Sequence, residues 1–446
     1  MLPFLTAYDP LSSSNGSIDP LGALQGYMTL ADMLLPGVTT ITTRSRYLSM
    51  LCAALANAES SRQFAPGASG FSQRRQAVEP FERLWSLACV AARENGVERA
   101  ADGLRGVTKA EARYKHYAAS DEPISLGFKL LKYQGRTGAV GTYWTTMVGS
   151  DLVDPDTGAL TPEGRGLAAD FPPLPLPEKE RMRLAEPTKA NSISVSVEDL
   201  RVWGRRANLV AAGANEKDHL REALTSRDRR DCIYRALSAL EKANALPTEW
   251  NTAAVKALRD VIAGHEEAVA LGLLEVLDAI LHFESFHEAV LCVFETLLWW
   301  GTEHPNQKIG ELVGDTEFRN RANRCIATAG ALESYRGQCS RQDVKSAVAG
   351  FAAFAHVIQR CKTAKDVFDA VHKRHGQVQS GKTDGGVPKR EWVTVNGPRL
   401  DLPLPRFQRT KKPVAAKGRV LTHPYRLDSF VHMLRETGAL RQSKSA

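Results

Sequence analysis

Cysteines are few in this 446-residue sequence, and none are paired: Cys52, Cys89, Cys232, Cys292, Cys325, Cys339 and Cys361 are scattered, with no Cys-x-x-Cys among them. That spacing excludes a zinc ribbon and a disulfide frame, and predicts buried, reduced thiols. Long apolar runs are also missing. A membrane-spanning helix needs about 18 or more uninterrupted apolar residues, and the nearest approach, Val290 to Trp300, carries Glu295. The opening residues, Met-Leu-Pro-Phe-Leu-Thr-Ala-Tyr-Asp-Pro, have neither the basic start nor the apolar centre of a secretory signal. A soluble, cytoplasmic protein with no membrane partner is expected. Nucleotide loops are lacking too, because Gly381-Lys382-Thr383 ends like a P-loop but has no preceding strand. No Gly-x-Ser-x-Gly elbow occurs either.

What is present is ordinary globular composition, 43% hydrophobic and 24% charged, in a chain long enough for two or three cores. The net charge of +8 is unevenly placed. From His372 to Ala446 there are 16 Lys plus Arg against 5 Asp plus Glu, a balance of +11, which leaves the preceding residues at −3. Such asymmetry is what a segment that meets a polyanion needs.

Helical periodicity dominates, so the predicted fold class is mainly α. Five stretches are expected: an N-terminal helical region (1–107), a compact module (108–171), a Pro/Ser-rich linker (172–197) beginning Pro172-Pro-Leu-Pro-Leu-Pro177, a larger helical domain (198–375) and a basic C-terminal segment (376–446). In the larger domain, Val255 to Trp300 is apolar on more than one side and is expected as the buried centre, broken near Gly264 or Gly272. Gly376 to Pro388 reads as a flexible loop. In the last segment, Glu391 to Val395 and Arg399 to Leu402 flank Asn396-Gly397, a β-hairpin signal, and Leu427 to Leu440 reads as a terminal amphipathic helix.

The module at 108–171 carries the most specific pattern. Thr108 and Glu111 have the spacing of a capping box. Ile124 to Leu131 is read as an apolar helix, followed by a turn bounded by Gly135 and Gly138. A second helix over Val140 to Leu152 would carry Thr142, Thr145 and Thr146 on a polar outer face. Asp154-Pro-Asp-Thr-Gly158 is turn chemistry, and Thr161-Pro162-Glu163 reads as an N-cap followed by Pro at the first helical position. The string Leu160-Thr-Pro-Glu-Gly-Arg-Gly-Leu-Ala168 resembles the segment after the wing in many bacterial winged helix-turn-helix proteins, and the resemblance covers about fifty residues. It implies DNA rather than RNA as partner, with Lys129, Lys132, Arg136, Thr142, Tyr143, Thr145 and Thr146 at the interface. Arg406, Arg409, Lys411, Lys412, Lys417 and Arg419, six cations with no acidic residue between them, would add phosphate contacts.

Chemistry is sparser. Glu284-x-x-His287 and Glu216-x-x-His219 have the one-turn spacing of di-iron bundles, but the further glutamates such a site needs are not specified. His372 and His375 precede a basic loop with no carboxylate cluster beside it. Arg44 and Arg46, at a helix start, suit phosphate contact or, more simply, ion pairs that fix the helix. No catalytic residue, metal or cofactor is assigned. The expected function is non-catalytic nucleic-acid binding, as a regulator or as the DNA-engaging subunit of a bacterial multi-protein assembly of defence or mobile-element type with protein partners. The alternative is a protein-protein scaffold that uses the winged helix and long helices as surfaces.

Overall fold

A computed structural model describes residues 19–384, 386–414, 421 and 423–441. It is mainly helical, 64% helix against 4% strand, as expected. No described helix is long and apolar enough to cross a membrane. The chain forms two compact units that are not colinear with the sequence. The first combines residues 1–34 with 247–425, and the second combines 35–246 with 426–446. The basic C-terminal segment is thus divided between them, with its hairpin in the first unit and its terminal helix, Leu427–Glu436, in the second.

In the first unit the centre is the 31-residue helix Leu273–Glu303. The predicted interruptions are both real: Thr252–Ile262 and Glu266–Ala270 precede it, and Gly272 adopts φ +69° at its N-cap, where a side chain would be strained. Its apolar faces meet Thr316–Gln338, Gln342–Gln359 and Leu24–Leu34, and the rings of Phe283, Phe286, Phe351 and Phe354 pack together. The hairpin pairs Thr394–Asn396 with Arg399–Asp401 around Gly397 at φ +58°. Helix Ala364–Ser380 runs further than expected. Its Thr363 capping box starts it, and it takes in part of the stretch read as a flexible loop; Thr383–Asp384 and Val387–Pro388 then pair as a short ladder.

In the second unit, helices Arg46–Ser61 and Gly67–Glu94 lie side by side, with Val197–Ala207 against the latter. The Tyr47 ring stacks on Tyr143 at 4.6 Å and meets Trp85 edge-on, while Trp85 Nε1 donates to Ala207 O. Residues 172–197 are no bare linker. They form helices Glu178–Leu184 and Pro187–Ala190 and a strand, and they bury Leu184, Ala190, Ile193 and Val195 in this unit. The apolar residues that follow the proline run find a core.

The module at 108–171 differs from its reading at its first cap, its first apolar segment and the turn that follows. Helix Val107–Ala118 begins after Gly106 in a left-handed conformation, so Thr108 lies inside it and makes no cap. Ile124–Leu131 is not helical: Ile124–Ser125 pairs antiparallel with Ser194–Val195, and Leu126 N donates to Ile193 O at 2.9 Å. The physical reason is period two. Ile124, Leu126 and Leu130 are buried, while Gly127 and Lys129 between them face outward. Helices Gln134–Thr137 and Ala139–Gly149 follow, then an antiparallel bridge between Val153 and Leu160 that closes the expected turn. Asp154 Oδ1 accepts from the backbone amides of Asp156 and Thr157, and Gly158 takes φ +69°. Thr161 Oγ1 accepts from Gly164 N at 3.1 Å, with Pro162 at the first turn of helix Pro162–Asp170, as its sequence predicts.

Candidate nucleic-acid interface

The cations expected at the interface fall into two groups, one in each unit. Lys129, Lys132 and Arg136 are exposed in the second unit and form no ion pair with any described residue. Of the helix face beside them, only Thr145 is exposed. Thr142, Tyr143 and Thr146 are buried, which corrects the expected polar outer face. Helix Ala139–Gly149 contacts both Arg46–Ser61 and Gly67–Glu94, so it is enclosed from two sides where an amphipathic reading allows one. The Tyr143 hydroxyl is occupied as the acceptor for Arg44 N at 3.1 Å.

Lys129 and Lys132 stand at a cavity of about 430 Å³ that the sequence did not reveal. One wall comes from helix Gly67–Glu94, which presents Glu79 and Arg83 one turn apart. Another wall comes from residues 127–132 of the 126–133 loop, and Gln134, Pro187, Thr188 and Asn191 complete the lining. Arg83 organises the arrangement. Its Nη1 donates to Leu126 O at 2.7 Å, Phe128 O at 3.1 Å and Asn191 Oδ1 at 2.9 Å, so one nitrogen fixes the loop and the Asn191 side chain. Gly127 is required by the close approach, since a Cβ there would lie 2.8 Å from Asn191 O.

Arg83 is only 7% exposed, and its Nε is buried with no partner, while Nη2 bonds no described residue. Burial lowers its affinity for the proton, an effect opposed by Glu79 and Glu82. Burial also raises the Glu79 carboxyl above the usual carboxylate range, against the pull of Arg83. Next to the cavity, Glu82 is fully enclosed and accepts from Ala139 N at 2.7 Å and Gln134 Nε2 at 2.8 Å, placing a carboxylate at a helix N-terminus. Burial pushes it up to about 7 even so. Gly138 serves this contact: its φ is −81°, and a Cβ there would stand 2.7 Å from Glu82 Oε2.

The second group lies along the first unit. Arg409 N donates to Thr302 Oγ1 at 2.9 Å, Pro413 O accepts from Arg321 Nη2, and Lys412 pairs with Glu317 at 2.5 Å while standing over the Trp299 ring. The 406–414 stretch is therefore docked on its unit. Arg406, which lies over Phe407, Arg409 and Lys411 are exposed. Lys417 and Arg419 lie outside the described residues.

The remaining candidates have structural employment. Arg46 and Glu216 form a buried ion pair at 3.1 Å, and Arg44 pairs with Glu436 at 2.8 Å, so both arginines fix the helix start. That pairing also removes Glu216 from any metal set, and His219 instead meets Asp170 at 2.5 Å. Glu284 accepts from the Tyr425 hydroxyl at 2.5 Å. Burial pushes the Glu284 carboxyl up to about 8, with the Tyr425 hydrogen bond opposing and Glu288 reinforcing the rise. His375 is enclosed between Pro20 O, at 3.0 Å from Nδ1, and Trp392 N, which donates to Nε2 at 2.8 Å. No group of three or more His, Cys, Asp or Glu among the described residues could hold a metal ion. Compared with known proteins, the chain matches no family model, no curated protein and no solved structure.

Proposed function

We propose that this protein binds nucleic acid, DNA in the first instance, through phosphate contacts made at the Arg83 cavity and its rim. The observation that carries the reading is the buried, loop-anchored guanidinium of Arg83 in one cavity with the exposed cations Lys129 and Lys132, which form no ion pair with any described residue. Arginine with a fixed orientation recognises phosphate with little further ordering cost, and mobile lysines on a rim add long-range attraction. The bridge-closed turn at 153–160 after helix Ala139–Gly149 supports a winged-helix-like reading of 108–171. In that reading the 126–133 loop with Arg136 just beyond it, and not the buried threonine face, meets the backbone. Arg406, Arg409 and Lys411 supply a second set of contacts.

A salt titration of binding to a random duplex tests this. Each phosphate contact contributes roughly 0.9 to the slope of log K against log salt, so replacing Lys129 and Lys132 by Ala lowers its magnitude by about 1.8. Absence of binding at low salt, or a slope near zero, sinks the proposal. Charge substitution is preferable to deleting 376–446, because that deletion also removes the Leu427–Glu436 helix from the second unit.

A further inference from the structure

We infer that the Arg83 cavity takes the phosphomonoester at the end of a nucleic-acid strand, not a phosphodiester within it; this rests on the nucleic-acid reading and names its ligand. Accessibility is the first argument. With Arg83 only 7% exposed and its Nη1 committed to three acceptors, a ligand must project into the cavity to meet the rest of the guanidinium. An internal phosphodiester carries a sugar on each side and must bring both down with it. A terminal phosphate projects on one ester bond and offers three oxygens.

Charge is the second argument. Arg83, Lys129 and Lys132 face a single lining carboxylate, Glu79. With all four groups ionised the balance is +2. A phosphomonoester carries about −1.5 to −2 at neutral pH, whereas a diester carries one negative charge, so the terminal group is the closer match.

Donors are the third. Asn191 turns Oδ1 to Arg83, which leaves its amide nitrogen to donate elsewhere, and the Thr188 hydroxyl is exposed beside it. Together with the two lysines these groups supply enough donors for three phosphate oxygens. Phe128 and Leu131 add apolar wall, and about 430 Å³ leaves room for the terminal sugar.

The test compares one labelled oligonucleotide in 5′-phosphate, 3′-phosphate and hydroxyl-ended forms, by fluorescence anisotropy on the full-length protein at fixed salt, with adenosine 5′-monophosphate as a separate ligand. One phosphorylated form should bind at least roughly tenfold tighter than the hydroxyl form. Lys129→Ala with Lys132→Ala, both exposed and without an ion pair to any described residue, should erase that difference without moving the melting temperature. Arg83→Gln should do the same, with circular dichroism to confirm that it folds. Equal affinity for the three forms overturns the inference and leaves the nucleic-acid reading standing. No binding of any form overturns both. Binding of the mononucleotide without any oligonucleotide overturns the strand-end source and leaves a site for free phosphomonoesters.

Discussion

Arg46 offers the sharpest test, because its two readings predict opposite outcomes. The side chain is 1% exposed, its Nε and Nη2 both reach the Glu216 carboxylate at 3.1 Å, and Nη2 and Nη1 also donate to Arg206 O and Asn208 O respectively. Arg46→Met removes the cation, leaves the enclosed Glu216 carboxylate without its partner and takes a donor from each of the two carbonyl oxygens. Breaking a buried pair from one side costs about 3–5 kcal/mol, which in a unit of this size corresponds to roughly 6–20 °C in melting temperature. Arg46→Met with Glu216→Leu leaves no buried charge and should recover most of that loss. Urea unfolding of the wild type, both single variants and the double variant gives the coupling energy directly. The reasoning fails if Arg46→Met costs less than about 1 kcal/mol, well below the range for a broken buried pair, or if Arg46→Met changes the salt slope of DNA binding while stability holds, which would return Arg46 to phosphate contact.

Further outcomes follow from other buried groups. Glu284 has a folded pKa of about 8, above that of the unfolded chain, so its neutral form is favoured on folding: stability is full below the unfolded value, falls as pH rises from there to about 8 and is level above. Glu284→Gln should flatten that slope in denaturation curves taken at pH 5 and 8, and an unchanged slope would contradict the assignment. His375 behaves oppositely. Burial lowers its pKa to about 4, so stability is lost as pH falls from about 6.5 through 4, and His375→Phe should remove the acid loss seen in the first unit by near-ultraviolet circular dichroism. Gly37 has φ +80°, and a Cβ there would stand 2.7 Å from the Gly149 Cα. Gly37→Ala should therefore cost about 1–3 kcal/mol in urea unfolding, from strain and contact together, and a neutral result would show that the backbone shifts freely.

Local features were legible in the sequence. The Thr161 cap, the Asp154–Gly158 turn, the Asn396-Gly397 hairpin and the break at Gly272 each depend on residues within a few positions, and each stands where its chemistry puts it. Ile124–Leu130 shows the limit of that reading. Its period-two alternation was present in the residues, but short apolar runs are ambiguous until a pairing strand is known, and that strand lies about seventy residues on at Ser194–Val195. Thr142 and Thr146 looked like an outer face because a helix pattern shows which residues share a side, not how many neighbours enclose it.

Tertiary structure alone decided the rest. Composition and periodicity set a mainly helical chain with a basic C-terminal segment, because they act residue by residue or turn by turn. The meeting of Arg83 with a loop 43 to 45 residues on, of Arg46 with Glu216 170 residues away and of Glu284 with Tyr425 141 residues away depends on which helices pack together, and no local pattern carries that information. Burial then fixed the chemistry of those groups, because removal from water raises the cost of a charge in proportion to how completely its neighbours close over it.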